Sequence, residues 1–204
     1  MNGKDTGLLV LRLTAGGLLV GHGAQKLFGA FGGHGLEGTA GFMESLGLEP
    51  GEQWAALAGL SEFGGGALTA LGLLHPLGPV GMAAAMTMAT RTAHAGKPIW
   101  VTAGGAELPV TNIAIALALT LAGPGAYSVD EVLGFHLPRP VAALAAAAAA
   151  AGIYLGLSQA QPAHEAPPAD EEAAPAPDTA PDHQPPLERQ NGAQRLEPAH
   201  TATA

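Results

Sequence analysis

The 204-residue sequence contains no cysteine, which excludes disulfides, iron–sulfur clusters and thiolate metal sites of its own. Any redox chemistry would therefore need a bound quinone-like molecule, a bound cofactor or a partner subunit. Charged residues are scarce at 12%, aromatic residues account for 4%, and the eight Lys and Arg form no basic stripe. We therefore expect no nucleic-acid partner. Phosphate loops, nucleophile elbows and dinucleotide fingerprints are also missing from the sequence.

Apolar residues dominate the first three quarters of the chain. Hydrophobic residues make up 48% of the sequence, and the mean hydropathy is +0.24. A bilayer core of ~30 Å needs ~20 apolar residues in a helix, and several segments reach or approach that length. They run over residues 7–28, 54–74, 79–95, 108–123 and 140–157. The pattern predicts an all-α fold, a transmembrane helix bundle in the lipid bilayer, because these segments lack the polar face that a soluble bundle needs.

Composition divides the chain at about residue 158. Residues 159–204 carry eight Asp and Glu against two Arg, and they hold nine of the 17 prolines. Such a segment cannot bury enough apolar surface to offset the entropy of ordering it. We predict a transmembrane bundle over 1–158 and a disordered, acidic, Pro/Ala-rich tail over 159–204.

Small residues and one long loop shape the predicted bundle. In lipid, glycines at small-xxx-small spacing let helix backbones approach closely, and Gly17 with Gly21 shows that spacing. The loop over residues 29–53 contains Thr39 as a candidate helix cap and Gly47 as a stop. We therefore expect a short interfacial helix in this loop.

Ionisable residues inside apolar spans are costly unless they face the protein interior or a partner, so each points towards function. Helix alternation and the rise of 1.5 Å per residue place several of them near the end where the first span finishes, called here the loop-one end. These residues are His22, Lys26, Glu62, Arg91, His94 and Glu107. Lys26 and Arg91 could also complement helix C-termini, and Glu107 a helix N-terminus.

Glu62 and His22 are the predicted centre of this group, as the catalytic pair. Both lie about 9–12 Å from the loop-one end, and a histidine beside a carboxylate can carry a proton near neutral pH. Lys26, Arg91, His94 and Glu107 are predicted to contribute to substrate binding. His22 and His94 could also serve as axial haem ligands, but spacing alone supports this weakly, so we expect no haem and no metal. The loop histidines, such as His75, are expected to be solvated.

Arg12 lies about 24 Å from the loop-one end and needs a different partner. The span over 108–123 covers only about 22 Å, and the chain then turns at Gly123-Pro124-Gly125. Irregular backbone at membrane depth is tolerated only against protein or a watery cavity, so this segment should fold back on the bundle. The sequence therefore predicts a structural ion pair between Arg12 and Asp130.

Four stretches resemble the DoxX family of small bacterial membrane proteins, which are usually four-helix units. They are the Arg12-led span ending in His22-Gly23-Ala24-Gln25-Lys26-Leu27-Phe28, then Glu62 with Gly65-Gly66, Gly104-Gly105-Ala106-Glu107, and Gly123-Pro124-Gly125-Ala126-Tyr127-Ser128-Val129-Asp130. The resemblance covers about residues 7–134. It implies four family-like helices, to which this chain adds a fifth, Ala-rich helix and the tail.

The resemblance also implies a multi-pass protein of the bacterial cytoplasmic membrane that takes part in redox work. Some relatives are subunits of thiosulfate:quinone oxidoreductases, and others form membrane complexes in oxidative-stress defence. The leading hypothesis is an oxidoreductase component, with no intrinsic cofactor, that binds a quinone or a small sulfur species and works with a redox partner subunit. A non-enzymatic scaffold, a small-molecule or proton pathway, and a homo-oligomer remain open. The family favours a cytoplasmic N-terminus, whereas Lys26, Arg91 and Lys97 favour the opposite orientation under the positive-inside rule.

Overall fold

Helices and their connections make up the described part of the chain. The computed structural model describes residues 2–160, and over this range it contains no β-strand. The helices are α1 (Gly3–Phe28), α2 (Gly35–Ser45), α3 (Gly51–Leu71), α4 (Leu77–Arg91), α5 (Glu107–Ala122), α6 (Val129–Leu133) and α7 (Arg139–Gln159), with 3-10 turns at Ala30–Gly32 and Val101–Ala103. The predicted all-α class is confirmed for this range. The predicted disorder of 159–204 lies outside the described residues, except for Gln159 and Ala160.

The five longer helices fall on the five apolar segments, with shifted ends. The first helix begins at Gly3, four residues before the predicted start, because the Asn2 side chain caps it by accepting a hydrogen bond from the Lys4 N–H at 3.1 Å. It ends where Gly29 adopts a left-handed conformation, with φ of 68°. Helix ends depend on such caps, which the apolar pattern does not report.

Two helices, α1 and α7, are long and apolar enough to span a membrane by length and composition. The five predicted spans are therefore only partly supported. Helices α4 and α5 have 15 and 16 residues, which corresponds to about 22–24 Å, shorter than a ~30 Å hydrocarbon core. Helix α3 has the length, but Glu52, Gln53 and Glu62 lower its hydropathy.

Helix α1 packs against α3, α3 against α4, and α4 against α5, while α7 packs on α4. The α1–α3 crossing brings backbone against backbone, because a Cβ on Gly16 would lie 2.6 Å from the Gly66 carbonyl oxygen. A Cβ on Gly66 would in turn lie 2.7 Å from the Gly16 oxygen. The prediction that Gly17 and Gly21 mediate packing is wrong, since a Cβ at either would have no neighbour within 4 Å. Glycines on the adjacent face form the contact.

An apolar cluster holds α2 over the loop-one end of α3. Met43 and Leu46 are buried in it with Ala55 of α3, whereas Phe42 is 49% exposed. The predicted short helix is present, but it begins at Gly35, so Thr39 lies inside it rather than at its cap. The Thr39 hydroxyl donates to the Gly35 carbonyl at 2.7 Å and lies 3.3 Å from the carbonyl oxygen of Lys26. These contacts hold α2 beside the end of α1.

Candidate functional site

The loop-one end contains a buried ion pair between α1 and α3. Lys26 Nζ lies 2.5 Å from Glu62 Oε2, and the side chain of Glu62 is 7% exposed while that of Lys26 is 28% exposed. The Glu62 side chain is thus enclosed, and the Lys26 side chain is partly accessible. Such a carboxylate in an apolar helix requires a charged or hydrogen-bonding partner, which Lys26 provides.

Helical geometry explains why Lys26 faces α3 in this way. Steps of ~100° place Arg12, Leu19, Gly23 and Lys26 on one stripe of α1. Arg12 and Leu19 are both 2% exposed, and Gly23 is buried against α3. This stripe of α1 therefore faces the interior of the bundle.

The predicted pairing of Glu62 with His22 is wrong. The carboxylate of Glu62 bonds to Lys26, and His22 is exposed. His22 precedes Gly23 by one residue, so its side chain is rotated by ~100° from the face of α1 that contacts α3. Similar depth along a helix brought the two residues together in the prediction, but depth does not determine the direction of a side chain.

The other three residues predicted at the loop-one end do not join the ion pair. Arg91 is exposed at the end of α4. His94 Nδ1 lies 2.7 Å from the Gly104 carbonyl oxygen, and Glu107 Oε2 accepts the Val101 N–H at 2.9 Å. His94 and Glu107 therefore hold the connection between α4 and α5 in shape, and their predicted part in substrate binding stays a prediction.

Asp130 organises the opposite end of the molecule. Its carboxylate accepts the N–H groups of Leu74 at 2.9 Å and His75 at 2.8 Å, and its own N–H donates to the Gly72 carbonyl at 3.1 Å. Asp130 is 4% exposed. It thus ties the start of α6 to the turn that joins α3 to α4.

Arg12 lies at the same end and is 2% exposed. Its Nη2 donates to the Tyr127 carbonyl at 2.8 Å, just before α6. The predicted Arg12–Asp130 ion pair is not formed within 4.0 Å. Backbone groups took the place of the side-chain partner, because the turns before α6 and after α3 offer free carbonyl and N–H groups that a helix interior lacks.

His75 and Thr69 complete this end, and sequence reasoning missed both. His75 was expected to be solvated, but it is half-buried, and its Nε2 lies 3.3 Å from the Thr120 carbonyl oxygen. A carbonyl oxygen can only accept, so Nε2 carries the proton of the neutral ring. Burial lowers the pKa of His75 below its ordinary 6.5. The signal that could have found His75 is its place directly after α3, at the end that Asp130 reaches.

A comparison with family models identifies part of the chain. Residues 7–95 match the DoxX family model. This segment is a DoxX domain. It extends from α1 to just beyond α4 and includes Arg12, Lys26 and Glu62. The predicted resemblance is confirmed for this segment, while the similar stretches near Glu107 and Asp130 lie beyond the match.

The match over residues 7–95 indicates a membrane protein of the DoxX type. Association with the lipid bilayer agrees with the two apolar helices of spanning length. No curated protein and no solved structure matches the chain. Residues 2–160 hold no group of three or more His, Asp or Glu side chains that could bind a metal ion together.

Proposed function

We propose that this DoxX protein is a multi-pass component of a redox system in the bacterial cytoplasmic membrane, and that its loop-one end binds the head group of a quinone. The buried Lys26–Glu62 pair carries the proposal. Ionisable side chains within apolar helices are costly and mark functional sites by default. The positive charge of Lys26 on α1 balances the negative charge of Glu62 on α3, and the Lys26 side chain is partly accessible.

The geometry of the pair suits a quinone carbonyl. The ammonium of Lys26, at 28% side-chain exposure, can donate to an incoming carbonyl oxygen while it remains bonded to Glu62. Lys26 can then donate a proton directly to the reduced oxygen and regain one from water, while the carboxylate of Glu62 holds the ammonium in place. The second proton also comes from water at the accessible side of Lys26. Two electrons and two protons convert the quinone to a quinol. Since the chain has no cysteine, the electrons come from a reduced partner oxidoreductase.

A non-enzymatic scaffold is the second candidate, and the exposed aromatic residues of the loop-one end favour it. Phe28 is 69% exposed, Phe31 81% and Trp100 63%. Aromatic residues at such positions suit the membrane interface or a docked protein. A scaffold would recruit the partner oxidoreductase through this surface and would leave quinone binding to that partner. A small sulfur anion in place of a quinone would meet the same ammonium of Lys26.

Measurements of quinone binding to matched variants distinguish the quinone site, the scaffold and the site for a sulfur anion. The full chain is purified with native lipids, extracted quinones are identified by mass spectrometry, and a short-chain quinone is titrated into Lys26→Met, Glu62→Gln and Lys4→Met. Lys4 is exposed at the other end of α1, so Lys4→Met controls for the loss of a lysine. A hydrogen bond to a charged group is worth about 1.5–3 kcal/mol, so Lys26→Met should weaken binding at least tenfold.

Equal quinone affinity in Lys26→Met and Lys4→Met would reject the site. No measurable quinone binding, combined with retained capture of a partner oxidoreductase, would favour the scaffold. Competition by a sulfur oxyanion, lost in Lys26→Met but not in Lys4→Met, would favour the sulfur species.

A further inference from the structure

A small cavity lies beside Arg12, at the end opposite the Lys26–Glu62 pair. It is lined by residues of α1, α3, α4, α5 and the adjoining turns: Arg12, Leu68, Thr69, Gly72, Leu73, His75, Pro79, Leu119 and Gly123. Its size leaves room for about one water molecule. Most of the lining is apolar, and a cavity of this size holds at most one small guest and excludes any organic ligand.

Two buried side chains in the cavity wall have unused hydrogen-bonding groups. Arg12 donates through Nη2 to Tyr127, but its Nε and Nη1 find no partner among the described residues. The Thr69 hydroxyl, on a residue 1% exposed, also lacks a partner there. Buried N–H and O–H groups of this kind are almost always bonded to protein or ordered water. The cavity therefore needs an acceptor that can serve both side chains.

The turn after α3 is shaped around the guanidinium. A Cβ on Gly72 would overlap Arg12 Nη1, so only glycine leaves the guanidinium its place. Gly72 also has φ of 62°, which glycine adopts without strain. The unused donors thus sit in a fixed position rather than at the end of a mobile side chain.

Charge decides between a water molecule and a halide ion. The Asp130 carboxylate accepts the N–H of His75, a residue of the cavity wall, at 2.8 Å, so the surroundings of the cavity already contain one negative charge besides the positive charge of Arg12. A halide would add a second negative charge in a low-dielectric region, which is unfavourable. A water molecule adds no charge, accepts two hydrogen bonds and donates two.

We propose that this cavity is a specific binding site for one water molecule that accepts hydrogen bonds from Arg12 and Thr69 and so joins α1 to α3. The water gives the guanidinium one further acceptor besides the Tyr127 carbonyl. Arg12 and Thr69 make no hydrogen bond to each other, so the water is the link between them.

The direction in which Thr69→Val changes the melting temperature tests the proposal. Thr69→Val removes the hydroxyl at nearly constant shape. If the hydroxyl binds water, the melting temperature of the full chain in detergent should fall by about 2–4 °C, and Thr69→Ser should largely retain it. If the hydroxyl is unbonded, removing a buried unsatisfied group leaves the melting temperature unchanged or raises it, and the proposal fails. Thr87→Val is the matched control, because the Thr87 hydroxyl already donates to the Ala83 carbonyl at 2.7 Å.

Coupling and anion exchange give the second and third readouts. In an Arg12→Met background the bridge is already lost, so Thr69→Val should lower the melting temperature much less than it does in the native chain. Equal decreases in both backgrounds would overturn the bridge. Replacing chloride by gluconate should leave the melting temperature of the native chain unchanged. If gluconate lowers the melting temperature of the native chain but not that of Arg12→Met, the guest is a halide and the water proposal is wrong.

Discussion

The structure holds two pairs of opposite charge, one near each end of α1: Lys26 with Glu62 of α3 at the loop-one end, and Arg12 with Asp130 of α6 at the opposite end. Lys26 and Glu62 bond directly, and the lysine reaches the surface. Arg12 and Asp130 are both more than nine-tenths buried, yet each bonds to backbone instead of to the other. The loop-one pair is therefore a contact between side chains, and the opposite end is a network that includes the chain's own turns.

The difference follows from where backbone groups are free. Glu62 lies in the interior of α3, where each N–H and carbonyl is used by the helix, so its carboxylate needs a side-chain partner. Asp130 lies beside the turn that precedes α4, where the N–H groups of Leu74 and His75 have no helical partner. A carboxylate that accepts such N–H groups satisfies itself and caps the turn. The two ends should thus respond differently when one charge is removed.

The largest expected effect is that of Asp130→Ala. The change leaves the N–H groups of Leu74 and His75 without acceptors and Arg12 without a nearby negative charge. The free energy of unfolding should fall by about 3–5 kcal/mol, measured by denaturant unfolding in detergent. Asp130→Asn keeps one acceptor and should cost less. Glu131→Ala, at the exposed neighbouring position, should stay within about 0.5 kcal/mol, and a similar loss there would mean that α6 itself is the cause.

Removing one charge of the Lys26–Glu62 pair should lower the free energy of unfolding by a smaller amount, and the amount should depend on which charge is removed. Lys26→Met strands the enclosed carboxylate of Glu62 and should cost about 2–3 kcal/mol. Glu62→Gln leaves a lysine that can reach water, so it should cost about 1 kcal/mol. The double variant should cost less than the sum of the two. Equal or additive losses would show that the pair contributes as two separate solvated groups.

His75 should make the stability of the opposite end depend on pH. Burial lowers the pKa of His75 in the folded protein, so the unfolded chain takes up the proton first as pH falls below about 6.5. Stability is therefore full above pH 6.5 and decreases between this value and the lower pKa of the folded state. The melting temperature of the native chain should fall more between pH 7.5 and 5.5 than that of His75→Gln. Parallel curves would exclude His75 as the source.

The smallest effect concerns the end of α7. The Trp54 Nε1–H donates to Gln159 Oε1 at 3.0 Å. A chain that ends at Ser158 should lose about 1 kcal/mol or less relative to one that ends at Ala160, with a change in tryptophan fluorescence. The chain that ends at Ala160 should have the same melting temperature as the full-length chain, because residues 161–204 lack apolar periodicity. A large difference between these two would show that the tail stabilises the helices.

Much of the fold was predictable from the sequence because apolar length and helix period are strong signals. The five longer helices and the burial of Glu62 followed from these patterns. Rotation about a helix axis was harder to predict, as the exposed His22 shows. Spacing favoured Gly17, which is followed by Gly21, over Gly16, which is followed by Val20, yet Gly16 makes the contact.

The candidate sites were less predictable because backbone groups compete for the charges. Arg12 and Asp130 were expected to bond each other, but a carbonyl at Tyr127 and two N–H groups after α3 were closer partners. The conformation of a turn is not encoded in hydropathy or charge spacing. His75 was missed for the same reason, since its burial depends on how the turns fold over it.

The backbone contact at Gly16 and Gly66 has a mechanical consequence. Helices that touch backbone to backbone have little freedom to slide, and α1 touches α3 in this way again at Gly23, where a Cβ would overlap the Phe63 backbone nitrogen. Arg12 lies beyond the first contact and Lys26 beyond the second, about 21 Å apart along the helix. Because two contacts hold α1, the helix cannot pivot about either one alone. Lys26 and Glu62 therefore keep their separation unless the two helices part.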